Sequence, residues 1–227
     1  VSDVDGNVNG GNVNVDADVY AAVDAGRVDD AFALVVARYG REIGGFLSAR
    51  FLGADGAADA FAFFAEDVWR GLAKFRRAAS LRTWLYVLAR NAALRVKQAE
   101  RRRAAREIPL SHAPAVDALE FELRAATTRW QRTDVKDHIH AIRAGLDDDD
   151  RELLVLRVDR GLSWLAIARV VHATANDVDV DGSAVGGSAV DDAALKRQAA
   201  ALRKRFERIK ARIESQARAA GVLEPPP

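Results

Sequence analysis

The chain has 227 residues, no cysteine, four histidines, and 34 basic against 33 acidic side chains, a net charge of +1. That length suits one or two domains. The absence of cysteine excludes a disulfide framework, thiolate metal sites and a cysteine nucleophile, and points to a cytoplasmic location.

Residues 1–26 form an Asn/Val/Asp/Gly-rich tract whose composition predicts a disordered tail. The first eighteen residues are acidic and lack a basic flank followed by an apolar core, so they are not read as a signal peptide. From 29 to 52 apolar residues recur at helical spacing (Phe32, Val35, Val36, Tyr39, Ile43, Phe46, Leu47), with a break expected near Gly40. A second helix is expected over 57–74, carrying Phe61, Phe64, Val68, Trp69 and Leu72. Ser80 announces a third as N-cap, after which Leu81, Trp84, Leu85, Leu88 and Ala92 share one face. These helices can share a core.

Residues 107–127, with Pro109 and Pro114, read as a linker. Helical spacing resumes at Trp130, Val135, Ile139 and Ile142 and stops at Gly145. Asp147, Asp148, Asp149 and Asp150 then stand where the positive end of a helix dipole favours carboxylates. That helix ends at Gly161, and Ser163 caps a short one over 164–172. After the Gly- and Asp-rich segment 173–190, Asp191 or Asp192 caps a long final helix with an apolar seam of Leu195, Ala199, Leu202, Phe206, Ile209 and Ile213. Strand signals are nearly absent. The fold expected is all-α, in two small helical domains (27–106 and 128–218) joined by a linker, with an inserted loop at 173–190 and a tail at 219–227. No apolar run approaches the roughly 20 residues of a membrane helix, so no membrane insertion is expected.

The small net charge is a cancellation. Residues 70–106 hold twelve Arg/Lys against Glu100 alone, and residues 195–218 hold nine against Glu207 and Glu214. Two separated basic segments in an otherwise acidic chain suit a protein that holds a polyanion at two places. Trp69, Trp84 and Tyr86 lie within the first segment, and aromatic rings among arginines suit stacking on unpaired bases, although the stripe position of Trp84 favours a core role. Helix, Gly161, short helix and long basic helix follow the order of a helix-turn-helix, with eighteen residues in place of the usual short turn.

Other chemistries find little support. Asp177, Asp179, Asp181 and Gly182 match the first half of a calcium loop, but Ser188 stands where a bidentate Glu is needed. His138 and His140, two apart, diverge on a helix and do not share a metal. No nucleophile–base pairing or phosphate-cradling Gly loop is present, so neither catalysis, a metal nor a cofactor is expected.

The stretch FAFFAEDVWRGLAKFRRAASLRTWLYVLARNAALRVKQAERRR (61–103) resembles the second conserved region of the extracytoplasmic-function group of bacterial RNA polymerase sigma factors. LRVDRGLSWLAIARVV (156–171) and LKRQAAALRKRFERIKARI (195–213) resemble that group's fourth region, a promoter-binding helix-turn-helix. The resemblance implies a non-enzymatic protein that binds core RNA polymerase and promoter DNA, with an anti-sigma protein as a further partner the family admits. Carried over by position, Asp59, Glu66, Asp67 and Arg70 would face the polymerase. Arg76, Arg77, Ser80, Leu81, Arg90, Asn91 and Arg95 would receive the unpaired minus-ten strand. Lys196, Arg197, Ala200, Ala201, Arg203 and Lys204 would face the minus-thirty-five groove. Ala62-Phe63 stands where that group commonly has Gln-Glu, and Ala200 and Ala201 offer only methyl groups, suited to thymine methyls. Two rival readings remain: a stand-alone helix-turn-helix regulator, which leaves the first basic segment without a role, and a helical interaction protein that binds no nucleic acid.

Overall fold

The computed structural model of the chain describes residues 13–51, 56–104, 141, 143–173 and 192–219. Regular structure among them is helical throughout: α1 (Val13–Asp24), α2 (Val28–Arg50), α3 (Ala57–Gly71) with a 3-10 turn at Leu72–Lys74, α4 (Leu81–Ala104), α5 (Asp148–Leu154) running into a wider π-type turn at Val155–Asp159, α6 (Trp164–His172) and α7 (Asp192–Ala219). The protein is all-α, with two helical sub-regions, α1–α4 and α5–α7. The expected linker, the helix expected from Trp130 towards Gly145 apart from residues 141 and 143–145, His138 and His140, the half calcium loop and nearly all of the 173–190 insertion lie outside the described residues.

Two expectations are corrected. Residues 13–24 form a helix where composition predicts disorder. Val19 and Ala22 are buried, Tyr20 and Val23 pack against the core, and Tyr39 Oη donates to Asp16 Oδ1 at 2.6 Å. The spacing of three and four among these residues is helical; tertiary burial on α2 supplies what the tract's weak propensity does not. Gly40, expected to break α2, lies within it, because Tyr39 and Ile43 on either side are fully buried and hold the backbone in register. An isolated glycine costs a helix about 1 kcal/mol, less than those two side chains gain by burial.

The N-terminus of α3 does require its glycine. Gly56 has φ +95°, and a Cβ there would stand 2.7 Å from Phe51 Cε1 and 2.8 Å from Glu100 Oε1. A side chain at this position is strained by backbone and neighbours alike.

The caps expected at Ser80 and Ser163 are present, and Asp147 of the acidic run caps α5; Asp192, one of the two residues expected to cap α7, is instead its first helical residue, and Asp191 lies outside the described residues. Ser80 Oγ accepts from the Thr83 amide at 3.2 Å, Asp147 Oδ1 from the Asp150 amide at 2.7 Å, and Ser163 Oγ from the Ala166 amide at 3.2 Å. Gly161 follows the π-type turn with φ +63°. Buried Arg151 donates to the carbonyls of Arg143, Ala144 and Leu146, which satisfies the end of the preceding segment.

α4 is the centre of the molecule. Thr83, Trp84, Leu85, Tyr86, Val87, Leu88 and Ala89 are consecutive and all buried. Seven successive residues point in every direction around a helix, so α4 is covered on all sides along two turns. α2, α3 and α6 all pack against it. One continuous apolar core therefore runs from Val19 in α1 to Ile209 in α7.

Candidate nucleic-acid interface

α7 turns its apolar seam inward. Leu195 and Ile209 are buried, and Leu202, Phe206 and Ile213 pack against the core. Phe206 meets Trp164 of α6 edge-on at 5.5 Å, and the Arg157 guanidinium lies over the other ring of that pair, Trp164, at 4.7 Å. On one flank Arg205 Nε and Arg212 Nη2 donate to the two oxygens of Asp150 at 2.6 and 2.8 Å, which fixes the rotation of α7 on α5.

Lys196, Arg197, Ala200, Ala201, Arg203 and Lys204, expected to face a DNA groove, are all exposed. Steps of three and four bring them onto one outward stripe. Lys196 donates to Asp192 at 2.7 Å one turn earlier, and that bond holds the Asp192 carboxyl below its usual range. Chemically this is a cationic row with a methyl-lined centre, able to neutralise phosphates and to touch apolar groups between them.

The residues expected to take an unpaired strand are dispersed. Arg76 and Ser80 are exposed. Arg77 adopts φ +58°, sparsely populated for a residue with a side chain, and is held there by an ion pair with Asp24 and by its position 4.5 Å over the Tyr20 ring. Tyr20 in turn stacks on Phe75, and Phe75 on Trp84. Leu81 is fully buried in the core beside Trp84, which is core as its stripe position implies. Arg90 Nε donates to Glu152 Oε1 at 2.8 Å. Arg95 pairs with Asp67 of α3 and lies over the Phe63 ring at 5.0 Å. Asn91 is 3% exposed, and neither its amide nitrogen nor its oxygen has a hydrogen-bond partner.

The residues expected to face the polymerase all lie on α3. Asp59, Glu66 and Arg70 are exposed, and Arg70 pairs with Glu66 at 2.5 Å. Asp67 is largely covered, and burial pushes its carboxyl up in spite of Arg95. Phe63 and Trp69 are large apolar side chains exposed on the same helix, with Trp69 Nε1 donating to Asp29 Oδ1 at 2.9 Å.

Sequence reasoning missed the groups that join the two sub-regions. Glu152 is almost completely buried between Arg50 of α2 and Arg90 of α4. Arg82 bridges Glu42 and the Arg160 carbonyl, and Tyr86 Oη donates to the same Glu42 oxygen at 2.7 Å. Burial and that carboxylate push the Tyr86 phenol well above its usual range. Gly45 admits Arg160, whose Nη2 lies 2.6 Å from where a Cβ would be. The one signal in the sequence was a carboxylate bordering an apolar run, Glu152 directly before Leu153 and Leu154.

No family model, curated protein or solved structure matches the chain.

Proposed function

We propose that this protein is a cytoplasmic sigma factor, which binds core RNA polymerase and directs promoter-specific initiation without catalysis of its own. The observation that carries the reading is the exposed row from Lys196 to Lys204 on α7, which follows the Ser163-capped α6 as a recognition helix follows its partner. In this reading α7 reads duplex DNA, α4 and the preceding loop hold an unpaired strand, and the exposed face of α3, with Asp59, Glu66, Arg70, Phe63 and Trp69, meets the polymerase. The order of the two basic segments and the sequence resemblance support the same assignment.

One observation favours a stand-alone duplex-binding regulator instead. Leu81 and Asn91 are buried and Arg90 is paired, so the strand-binding set is not presented as it stands. Co-purification with core polymerase and transcription from genomic templates separate the two. A sigma factor is retained by core polymerase and yields discrete transcript starts; a regulator binds duplex fragments and yields neither.

A further inference from the structure

The acidic helix α5 lies along the basic face of α4. Asp148 and Glu152 are one helical turn apart and share a face, as do Arg90 and Lys97, two turns apart. Lys97 Nζ donates to Asp148 Oδ2 at 2.5 Å while Arg90 takes Glu152 Oε1, so two carboxylates meet two cations in antiparallel order. The second oxygen of Glu152 binds Arg50, with both side chains nearly inaccessible. Two further contacts continue the closure: Arg169 of α6 donates to the Ala78 carbonyl, inside the loop between Arg77 and Ser80, at 2.7 Å, and Arg82 donates to the Arg160 carbonyl at 2.6 Å.

Carboxylates spaced along a helix offer cations what the phosphates of a strand offer: oxygens bearing one negative charge at regular intervals. We propose that α5 is an intramolecular stand-in for nucleic acid, in which Asp148 and Glu152 close the cationic face of α4 until a DNA strand displaces them. This rests on the nucleic-acid reading above and adds regulation to it. The chemistry suits a clasp that must open. A buried ionic cluster gains little over apolar packing because its ions are desolvated, yet it yields to a competitor that supplies equivalent charges. Arg50 is the last residue of α2, where the helix dipole favours a cation, so it keeps a favourable position when Glu152 leaves.

A carbodiimide joins an amine to a carboxylate already in contact, so treatment of the full chain should link Lys97 to Asp148, read by peptide mass spectrometry. Saturating single-stranded oligodeoxythymidylate should lower that yield at least about fivefold, as expected for a population shift between closed and open forms. Asp148→Asn removes one carboxylate at the exposed edge of the contact and should tighten oligodeoxythymidylate binding about three- to tenfold; Glu152→Gln should do so more strongly if its circular dichroism stays helical. No link in the free chain, a link undiminished at saturation, or an unchanged affinity in a folded Asp148→Asn chain would each overturn the clasp and leave a purely structural interface. If neither the native nor the Asp148→Asn chain binds the oligonucleotide or a promoter duplex at low salt, the nucleic-acid reading itself falls, and the clasp with it.

Discussion

The two basic helices, α4 and α7, carry similar charge, but outside the exposed last turn of Arg101, Arg102 and Arg103 the cations of α4 are paired across helices, whereas α7 presents a row to solvent. On α4 the cations Arg82, Arg90, Arg95 and Lys97 are each bound to a carboxylate from another helix, and the side chains of Arg90 and Lys97 are only 12% and 18% exposed. On α7 the row from Lys196 to Lys204 is exposed to solvent, while Arg205 and Arg212 pair with Asp150 of α5. The difference arises from where acidic residues can reach. α4 is central and is wrapped by α2, α3 and the α5–α6 hairpin, all of which bring carboxylates or carbonyls; α7 packs along one side only. Positive charge in a sequence therefore marks an available polyanion surface only where no neighbouring element already supplies the anions.

The comparison breaks most severely at Glu152. Its removal leaves Arg50 and Arg90 without their shared carboxylate, so Glu152→Ala should lower unfolding free energy by about 3–5 kcal/mol, read from urea denaturation at pH 7. A loss below about 1 kcal/mol would mean that the α4 face is not held by this triad. Asn91 should respond with the opposite sign. Because both of its amide atoms are buried without partners, Asn91→Leu should raise stability by about 1 kcal/mol, and a marked loss would show that the amide is bonded in solution.

A smaller effect is expected from pH. The Lys97 ammonium holds the Asp148 carboxyl below its usual range. A depressed carboxyl stabilises the folded state above its unfolded value of about 3.9, and the contribution is lost as pH falls through the folded value. Asp148 is 42% exposed, so this amounts to no more than about 1 kcal/mol, and the stability deficit of Asp148→Asn relative to the native chain should shrink as pH falls through the folded value. The direct check is the Asp148 carboxyl resonance by NMR, which should titrate below about 3.9 in the native chain and return toward that value in Lys97→Ala.

The smallest effect on stability belongs to α7. Arg203 is exposed, so Arg203→Ala should leave the denaturation midpoint unchanged within about 0.5 kcal/mol. In duplex binding the same substitution should reduce the slope of log K against log salt by about one. An unchanged slope with unchanged affinity would place the groove-facing surface elsewhere.

Much of the fold could be read from the residues. The periodicities that announce α2, α3, α4, α6 and α7 are local properties of amphipathic helices, and Ser80, Asp147 and Ser163 cap where their side chains can reach the next turn. α1 was hidden because Asn, Asp, Gly and Val weaken local propensity, and its short apolar face acquires meaning only on α2. The exposed stripe of α7 followed from its seam, since a helix that buries one side must present the other. The burial of Leu81 followed from its place on the visible stripe of α4 and argues against the strand-facing role that the resemblance gave it, whereas the burial of Asn91 and the pairing of Arg90, off that stripe, did not follow.

What the sequence determined by itself was therefore the helices, their caps and the two concentrations of positive charge, all set by contacts within a few residues. The tertiary structure decided which of those charges remain available. Glu152 lies 62 residues from Arg90 and 102 from Arg50, and no local pattern records that separation. The pairing exists because packing α6 on α4 brings acidic α5 alongside, where desolvated cations require a carboxylate.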